Sequence, residues 1–342
     1  MSLKPRPLGI MVDLVYLLIF GTFVYPTAVP QGQARDGSWR TLPSIAGGLR
    51  QEDAVVATSD AVWVLGGTMI DPFRTVDTVE YYSLRDSSWH TAAPFGTPLN
   101  HLNAASVGET IYILGGLSEG RQWRAQGISL AYSTSANAWQ HRAPMPQGTQ
   151  RGACAVGVYD TTIYLAGGMT ILDLESGDQD VVATVTAYDT VRDSWNTNLP
   201  PLPQPRQHVA GVVVGSTFYV LGGRTNGQEK IQNNVYALDL NSPMSGWREL
   251  TPMPTARGGL ACAAIGEIIY CLGGEGDQQT QSQVFPQVEA YNTVTNQWSR
   301  LPDMPVPKHG WGVAAIGGTI YSPGGGIKAG TAPTDGFDSF TP

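Results

Sequence analysis

Three histidines stand beside a position that recurs along the chain, and this placement makes them candidates for chemistry. They are His101, His208 and His309, and the arginines Arg206 and Arg257 occupy the recurring position itself. Imidazole and guanidinium groups can donate hydrogen bonds to a carbonyl or quinone-like oxygen as negative charge develops on it. We therefore predict that these five residues form a catalytic set.

A wider set of polar and aromatic residues falls at equivalent places in the repeat and is predicted to bind a ligand. It consists of Arg50, Glu52, Asn103, Trp123, Arg151, Arg224, Asn226, Glu275, Lys308 and Trp311. Cations gathered at one site repel each other unless carboxylates or an anionic ligand neutralise them. The set therefore favours a polar or anionic small molecule, or an acidic peptide. The alternative is that each arginine is a structural residue that bonds a loop of the neighbouring repeat.

Other reactive motifs fit less well. Residues 116–120 match the G-x-S-x-G string, but a nucleophile elbow needs a following helix, and a β-strand is expected here. The acidic loop 173–180 lacks the terminal glutamate of a calcium loop and is expected to be solvated. The three histidines could bind a metal only if non-neighbouring repeats converged on one axis, so we predict no metal site and no cofactor.

The elements that position these residues are set by an internal repeat. Glycine pairs recur six times, and an aromatic residue precedes each pair by three positions. The pairs begin at Gly66, Gly115, Gly167, Gly222, Gly273 and Gly324. Sixteen residues before each pair is the recurring position already mentioned, which is basic in five repeats and Leu99 in the other. A period of about 50 residues with alternating apolar segments is typical of β-propeller blades.

Each repeat contains four predicted strands. After the glycine pair come a variable loop, a strand with a tyrosine and a strand with a tryptophan, which are Trp89, Trp139, Trp195, Trp247 and Trp298 in the first five repeats. The sixth repeat never reaches a tryptophan, whereas Trp39 lies 11 residues before Arg50, a spacing that matches the other repeats. We predict that the segment around Trp39 completes the sixth blade and so removes two exposed sheet edges.

This pattern resembles the kelch repeat family, over roughly residues 37 to 342. The resemblance implies an all-β, six-bladed propeller in which the first strand of each blade is innermost. It also implies that ligands bind at the channel mouth, where Arg206, Arg224, Asn226 and Arg257 match contact positions of kelch adaptors. The kelch copper oxidases need a cross-linked Tyr–Cys pair and a second domain, and the iron-dependent specifier proteins need a Glu, an Asp and a His spaced four apart. We expect neither here.

Composition narrows the range of partners. The net charge of −8 and the absence of a basic run disfavour nucleic acid. The three cysteines cannot form a disulfide framework, although Cys262 and Cys271 are placed for a cross-strand bridge, and Cys154 is expected to be a buried thiol.

The N-terminus differs from the rest of the chain. Lys4 and Arg6 precede an apolar stretch from Leu8 to Tyr25, which predicts a secretory signal over residues 1–34, with a retained anchor as the alternative. We therefore expect a secreted monomer with no membrane contact after cleavage, and a single propeller domain over residues 35–342.

Two functions remain open from the sequence. The overall plan is similar to that of the fungal hetero-Diels–Alderases, which implies a cofactor-free cycloaddition catalyst of secondary metabolism. The alternative is a non-catalytic secreted protein that binds a protein or a glycan. A catalyst should have one deep cavity lined by Trp123, Trp311 and Met169, whereas a binder should have a flat polar rim.

Overall fold

Six antiparallel four-stranded blades make up the fold. The computed structural model describes Met1 and residues 37–227 and 230–342, so the predicted signal segment lies outside the described residues. The first strands of successive blades contact each other, and the first strand of blade 6 contacts that of blade 1. These contacts confirm the closed six-bladed propeller. No helix in the described ranges is long and apolar enough to span a bilayer.

The first three blades follow the chain in order, and within each blade the strands pair in sequence order. Blade 1 contains Ala54–Ala57, Ala61–Leu65, Val79–Ser83 and Ser88–Ala92; blade 2 contains Ala104–Val107, Thr110–Ser118, Gln122–Ser133 and Ala138–His141; blade 3 contains Ala155–Tyr159, Thr162–Ala166, Val185–Asp189 and Ser194–Asn196. Short extra strands are Thr68–Met69, Arg74–Thr75, Leu99–Asn100 and Ile171–Asp173. The second and third strands of blade 2 extend into a long hairpin that Ile171–Asp173 joins.

The last three blades repeat this order, and the N-terminal strand completes blade 6. Blade 4 contains Ala210–Val214, Thr217–Leu221, Val235–Asp239 and Trp247–Leu250, with a 3-10 turn at Pro243–Ser245; blade 5 contains Ala261–Ile265, Ile268–Leu272, Val288–Asn292 and Gln297–Leu301; blade 6 contains Ala314–Ile316, Thr319–Pro323, Phe337–Thr341 and Ser38–Leu42.

The closure predicted from Trp39 is confirmed. Trp39 lies opposite Phe340 in the antiparallel ladder, and their ring centroids are 4.8 Å apart. Its indole N–H donates to Pro302 O in blade 5, at 3.4 Å. The other five outer-strand tryptophans make the same bond to the preceding blade, at 2.7–3.0 Å. An indole hydrogen bond thus links every pair of neighbouring blades, and the N-terminal strand supplies the sixth of these bonds.

The glycine pairs lie where one blade meets the next. A Cβ on Gly66 would approach Leu99 O, at the start of blade 2, to 2.6 Å, and the Gly67 N–H donates to that oxygen at 2.9 Å. Both glycines have positive φ, at 58° and 92°. The pair is therefore required by a close backbone approach as well as by conformation.

A ring of six residues, one from each blade, closes around the channel axis. Its members lie 14 residues before each glycine pair and are Glu52, His101, Ala153, His208, Gly259 and Gly310. The N–H of each residue donates to the carbonyl oxygen of the ring residue in the preceding blade, at 2.6–3.1 Å, and the series closes on itself. Each ring residue has φ between 49° and 59°. We call this feature the axial ring.

The left-handed backbone of the axial ring predicts how a glycine at position 153 affects stability. Because glycine adopts positive φ without the Cβ penalty, Ala153→Gly should leave the free energy of unfolding unchanged or raise it by up to about 1 kcal/mol. Ala155, two residues further in the first strand of blade 3, is fully buried, so Ala155→Gly should lower the free energy of unfolding by about 1 kcal/mol. Urea denaturation measures both. An Ala153→Gly variant less stable than Ala155→Gly would contradict the ring conformation.

Candidate functional site

Three side chains of the axial ring meet above the channel. Glu52, His101 and His208 come from blades 1, 2 and 4. His101 Nε2 lies 3.0 Å from His208 Nε2 and 3.1 Å from Glu52 Oε2. The ligand atoms of all three residues lie within 4.8 Å of one another. We call these residues the acceptor cluster, for the reason given next.

Both histidines use their Nδ1 atoms to bond a neighbouring amide oxygen. His101 Nδ1 lies 2.7 Å from Asn100 Oδ1, and His208 Nδ1 bonds Gln207 Oε1. With the amides oriented as in the structure, each Nδ1 carries the proton because an amide oxygen can only accept, and a lone pair is left on each Nε2. The two Nε2 atoms and the Glu52 carboxylate are therefore three acceptors that face one another.

The other ring positions leave room for this cluster. Ala153, Gly259 and Gly310 carry a methyl group or no side chain. A Cβ on Gly310 would overlap the Glu52 carboxylate. The carboxylate is held in place by Gln51, whose Nε2 donates to Glu52 Oε1 at 3.3 Å. The small residues of blades 3, 5 and 6 thus let large side chains from the other blades cross the axis.

A second charged group lies beside the acceptor cluster. Arg224 Nη1 and Glu275 Oε1 form a buried ion pair at 2.7 Å, and both residues are 2% exposed. His309 Nδ1 lies 3.4 Å from Glu275 Oε2, while its Nε2 donates to Lys328 O at 2.8 Å. A Cβ on Gly258 would overlap the Arg224 stem, so this glycine admits the arginine to the axis.

Burial and charge set the protonation of the site. Burial lowers the pKa of His101, although Glu52 opposes this shift. Burial, followed by the charges of Arg224 and His101, holds the pKa of His208 well below its usual range. For Glu52, burial acts to raise the pKa, but His101, His309 and Arg224 outweigh it and the net pKa is lowered. At neutral pH the cluster therefore contains two neutral imidazoles and one carboxylate.

The acceptor cluster forms the floor of a cavity of about 670 Å³ at the channel mouth. Arg224, Glu275, His309 and Gln51 also line it, and Asn226 and Lys230 stand on its wall. Trp123, 5% exposed, supplies an aromatic wall from the blade 2 hairpin, and its ring centroid is 5.5 Å from that of His101. The site is therefore deep and polar, with one aromatic side.

Five cations predicted at the mouth lie inside the blades instead. They are at most 1% exposed and are Arg50, Arg151, Arg206, Arg257 and Lys308. Each donates to backbone carbonyls at the end of the second strand of its own blade, as Arg206 Nη1 does to Gly222 O at 2.9 Å. The five cations are therefore structural and do not form the predicted cationic rim, but they bond their own blade rather than a loop of the neighbouring repeat. The recurring basic residue satisfies carbonyls that burial would otherwise leave unpaired.

Three of these cations also form buried ion pairs with residues of the third strand. The pairs are Arg50–Glu80, Arg257–Glu289 and Lys308–Asp338, at 2.8, 3.0 and 3.2 Å. Arg206 instead lies over the Tyr236 ring, 4.7 Å from its centroid. Burial lowers the pKa of Arg257 to about 10, although Glu289 opposes that shift. These contacts explain why the five side chains point into the blades.

Two predicted ligand-binding residues are also placed elsewhere. Asn103 is 1% exposed, and its Nδ2 donates to Leu114 O and Arg151 O, both at 2.8 Å, so it links blades 2 and 3. Trp311 donates to Ser322 Oγ and lines the channel on the other side of the axial ring. Met169 is fully buried behind Trp123. Only Trp123 of the three predicted cavity residues therefore lines the mouth.

The sequence argument against a metal rested on an incorrect geometric premise. It assumed that histidines from non-neighbouring blades do not meet, whereas His101 and His208 of blades 2 and 4 are in contact. Sequence reasoning also missed Gln51, Asn100 and Gln207, which orient the cluster. The signal was available, because all three lie 15 residues before a glycine pair, as His309 does.

Ser118 ends a strand and enters a hairpin turn, so residues 116–120 do not form a nucleophile elbow, as predicted. Cys262 and Cys271 are joined by a disulfide within blade 5, a bridge that the sequence allowed but did not decide. Cys154 is a buried free thiol, and burial raises its pKa to about 11.

The closed ring of kelch-type blades and its channel-mouth cavity define a kelch propeller, and comparisons with known proteins agree. Residues 175–335 match the KLHDC2/KLHL20/DRC7 Kelch-repeats domain. The chain is 37% identical over 326 residues to Kelch-like protein terF of Aspergillus terreus, covering 92% of this chain and 70% of that protein. The protein therefore belongs to the kelch-repeat family.

More distant relatives share the repeat over part of their length. Kelch-like protein 40 of Xenopus tropicalis is 28% identical, in a match that covers 67% of this chain and 35% of that protein. Beta-scruin of Limulus polyphemus is 26% identical, in a match that covers 72% of this chain and 27% of that protein. Among solved structures, "Structure of YjhT" superposes with a TM-score of 0.70 at 14% identity, covering 86% of this chain and 96% of that one. At this identity the likeness concerns the fold alone.

The contrast between buried and exposed arginines gives a direct test of their structural role. Arg257→Met leaves the buried Glu289 without its cation and with only the Thr255 hydroxyl as a donor, so the free energy of unfolding should fall by about 3–5 kcal/mol. Arg300, in the same blade, pairs with Asp303 at the surface, so Arg300→Met should change stability by less than about 1 kcal/mol. Urea denaturation compares the two. Equal stability of the two variants would favour the ligand-binding role for Arg257.

Proposed function

We propose that this propeller binds a small organic molecule in the mouth cavity and catalyses a reaction on it. The observation that carries the proposal is the acceptor cluster, because two buried histidines and one partly buried glutamate from separate blades converge in an open cavity. Such a concentration of buried polar groups with displaced pKa values is typical of functional sites. A flat polar rim, which a protein or glycan binder would favour, is a poorer description of this surface.

The charges of the site favour a neutral ligand that carries hydroxyl groups. Glu52 and Glu275 place two carboxylates beside a single guanidinium, that of Arg224. A strongly anionic ligand would be repelled by this arrangement. A hydroxyl group, in contrast, can donate a hydrogen bond to the acceptor cluster while a planar ring packs against Trp123. A phenol or an enol fits this description better than the anionic ligand that the sequence favoured.

We further propose that the reaction is a ring-forming cycloaddition of secondary metabolism, as the resemblance to the hetero-Diels–Alderases implies. A hetero-Diels–Alder addition converts two π bonds into two σ bonds and releases nothing, so the protein needs to orient the reactants and to polarise one of them. A hydroxyl that donates to the acceptor cluster becomes richer in electrons. The cluster therefore supplies a means of activation without a nucleophile. Secretion and a monomeric state also stay predictions.

Binding of planar phenols tests the proposal through the aromatic wall. We expect isothermal titration calorimetry against a panel of phenolic and quinone-like compounds to reveal ligands. For these ligands, Trp123→Ala should weaken binding by about two- to tenfold, since a stacked aromatic pair contributes about 0.5–1.5 kcal/mol. Mass spectrometry of mixtures that contain a ligand and an alkene then tests for a product with the summed mass.

A surface substitution provides the control. Val191, 75% exposed, lies between the third and fourth strands of blade 3, away from the glycine-pair end. Val191→Ser should leave ligand affinity unchanged. Affinity for glycans or proteins, with none for any compound of the panel, would contradict a small-molecule function.

A further inference from the structure

We propose that Glu52, His101 and His208 bind one divalent transition-metal ion at the floor of the mouth cavity. The two Nε2 atoms are 3.0 Å apart, and Glu52 Oε2 is 3.1 Å from His101 Nε2. Two nitrogen ligands on a tetrahedral zinc ion, with bonds of about 2.0–2.1 Å, are separated by about 3.3 Å. His101 Nε2 therefore stands near this spacing from both other donor atoms, and all three donor atoms lie within 4.8 Å of one another.

The hydrogen bonds of the histidines explain why a cation belongs at this point. Each imidazole donates from Nδ1 to an amide oxygen, so the lone pairs of both Nε2 atoms and of the carboxylate face the same small volume. Buried acceptors in mutual contact without a donor are unfavourable. A shared proton would satisfy one contact between two of the three acceptors. A metal ion satisfies all three at once.

The surroundings of the cluster resemble the outer shell of a metal site. Metal-binding histidines commonly donate their second ring N–H to a neighbouring oxygen, which fixes the tautomer and the ring orientation. Here Asn100 and Gln207 fill that role. The orientation of the Gln207 amide is set independently, because Arg224 Nη2, which can only donate, lies 3.5 Å from Gln207 Oε1. Gln51 holds the Glu52 carboxylate in the same way.

The donor set indicates both the kind of ion and its use. Two imidazoles and a carboxylate suit zinc, iron or other first-row ions, whereas calcium and magnesium prefer oxygen ligands alone. Three protein ligands leave coordination positions free on the cavity side, as in catalytic rather than structural sites. In this arrangement the hydroxyl or carbonyl oxygen of a substrate would coordinate the ion, in place of the hydrogen bond that a hydroxyl donates to the metal-free cluster. That role rests on the proposed function, whereas binding of the ion does not.

Titration with Co²⁺ tests the proposal, because cobalt bound to nitrogen ligands absorbs visible light. Chelator-treated protein should bind one Co²⁺ per chain by calorimetry, with a visible band that Zn²⁺ displaces. His208→Ala should weaken Co²⁺ binding by at least about 100-fold and abolish the band. Alanine is compatible with this ring position, because Ala153 occupies the equivalent place with a φ of 55°.

A matched variant separates this site from other histidines. His309 lines the same cavity outside the cluster, and glutamine stands at its equivalent position in two repeats, as Gln51 and Gln207. His309→Gln should bind Co²⁺ within about threefold of the wild type. If circular dichroism shows that His208→Ala is unfolded, Glu52→Gln keeps the side-chain size and should show the same loss.

Each other outcome has a definite meaning. A wild-type protein that binds no Co²⁺, or a cobalt band that survives loss of a cluster residue, overturns the metal site. Equal loss in His309→Gln and His208→Ala also overturns it. Phenol binding by metal-free protein is measured separately, so the proposed function can stand if the ion fails. Conversely, if the protein binds Co²⁺ but no compound of the panel, the metal site stands and the proposed small-molecule function is contradicted.

Discussion

The axial ring is the constraint on which the rest of the structure depends. Six residues, one from each blade, donate and accept backbone hydrogen bonds in a closed series around the channel. Every member has left-handed φ, which is costly for residues other than glycine, by roughly 1–2 kcal/mol each. Four of the six members are not glycine. The closed hydrogen-bond series and the packing of the blades must offset that strain, and such strain is often found at functional sites.

The ring also explains how charged groups are divided within the protein. In five of the six blades a basic residue stands two residues before the ring position, and its side chain points back into its blade and bonds carbonyls there. The ring side chains point toward the axis instead. The repeat therefore uses its cations to complete the blades, while the histidines and Glu52 meet at the mouth. The charge that reaches the cavity is close to balanced. Of the ligands that the sequence left open, this balance favours a neutral polar molecule with hydroxyl groups over an anion.

Much of the fold follows from local patterns in the sequence. Three features were sufficient to predict the six blades and their closure: the glycine pairs, the spaced aromatics and the position of Trp39. Each feature marks a contact that recurs in every blade. The direction of the arginine side chains could not be predicted from the sequence. One basic residue per repeat is compatible with a cationic rim at the channel mouth and equally with a buried hydrogen bond to a carbonyl oxygen. The meeting of His101 and His208 depends on the curvature of the whole ring, and on Ala153 being small enough to let them meet. Neither condition is visible in one repeat.

The most direct test is a crystal structure of protein grown with Co²⁺, with anomalous diffraction data collected at the cobalt edge. The account predicts one strong anomalous peak on the axial ring, about 2.0–2.2 Å from His101 Nε2, His208 Nε2 and a Glu52 oxygen. The six ring residues should retain left-handed φ and their closed hydrogen bonds. A peak elsewhere, no peak, or histidine rings turned away from each other would contradict it.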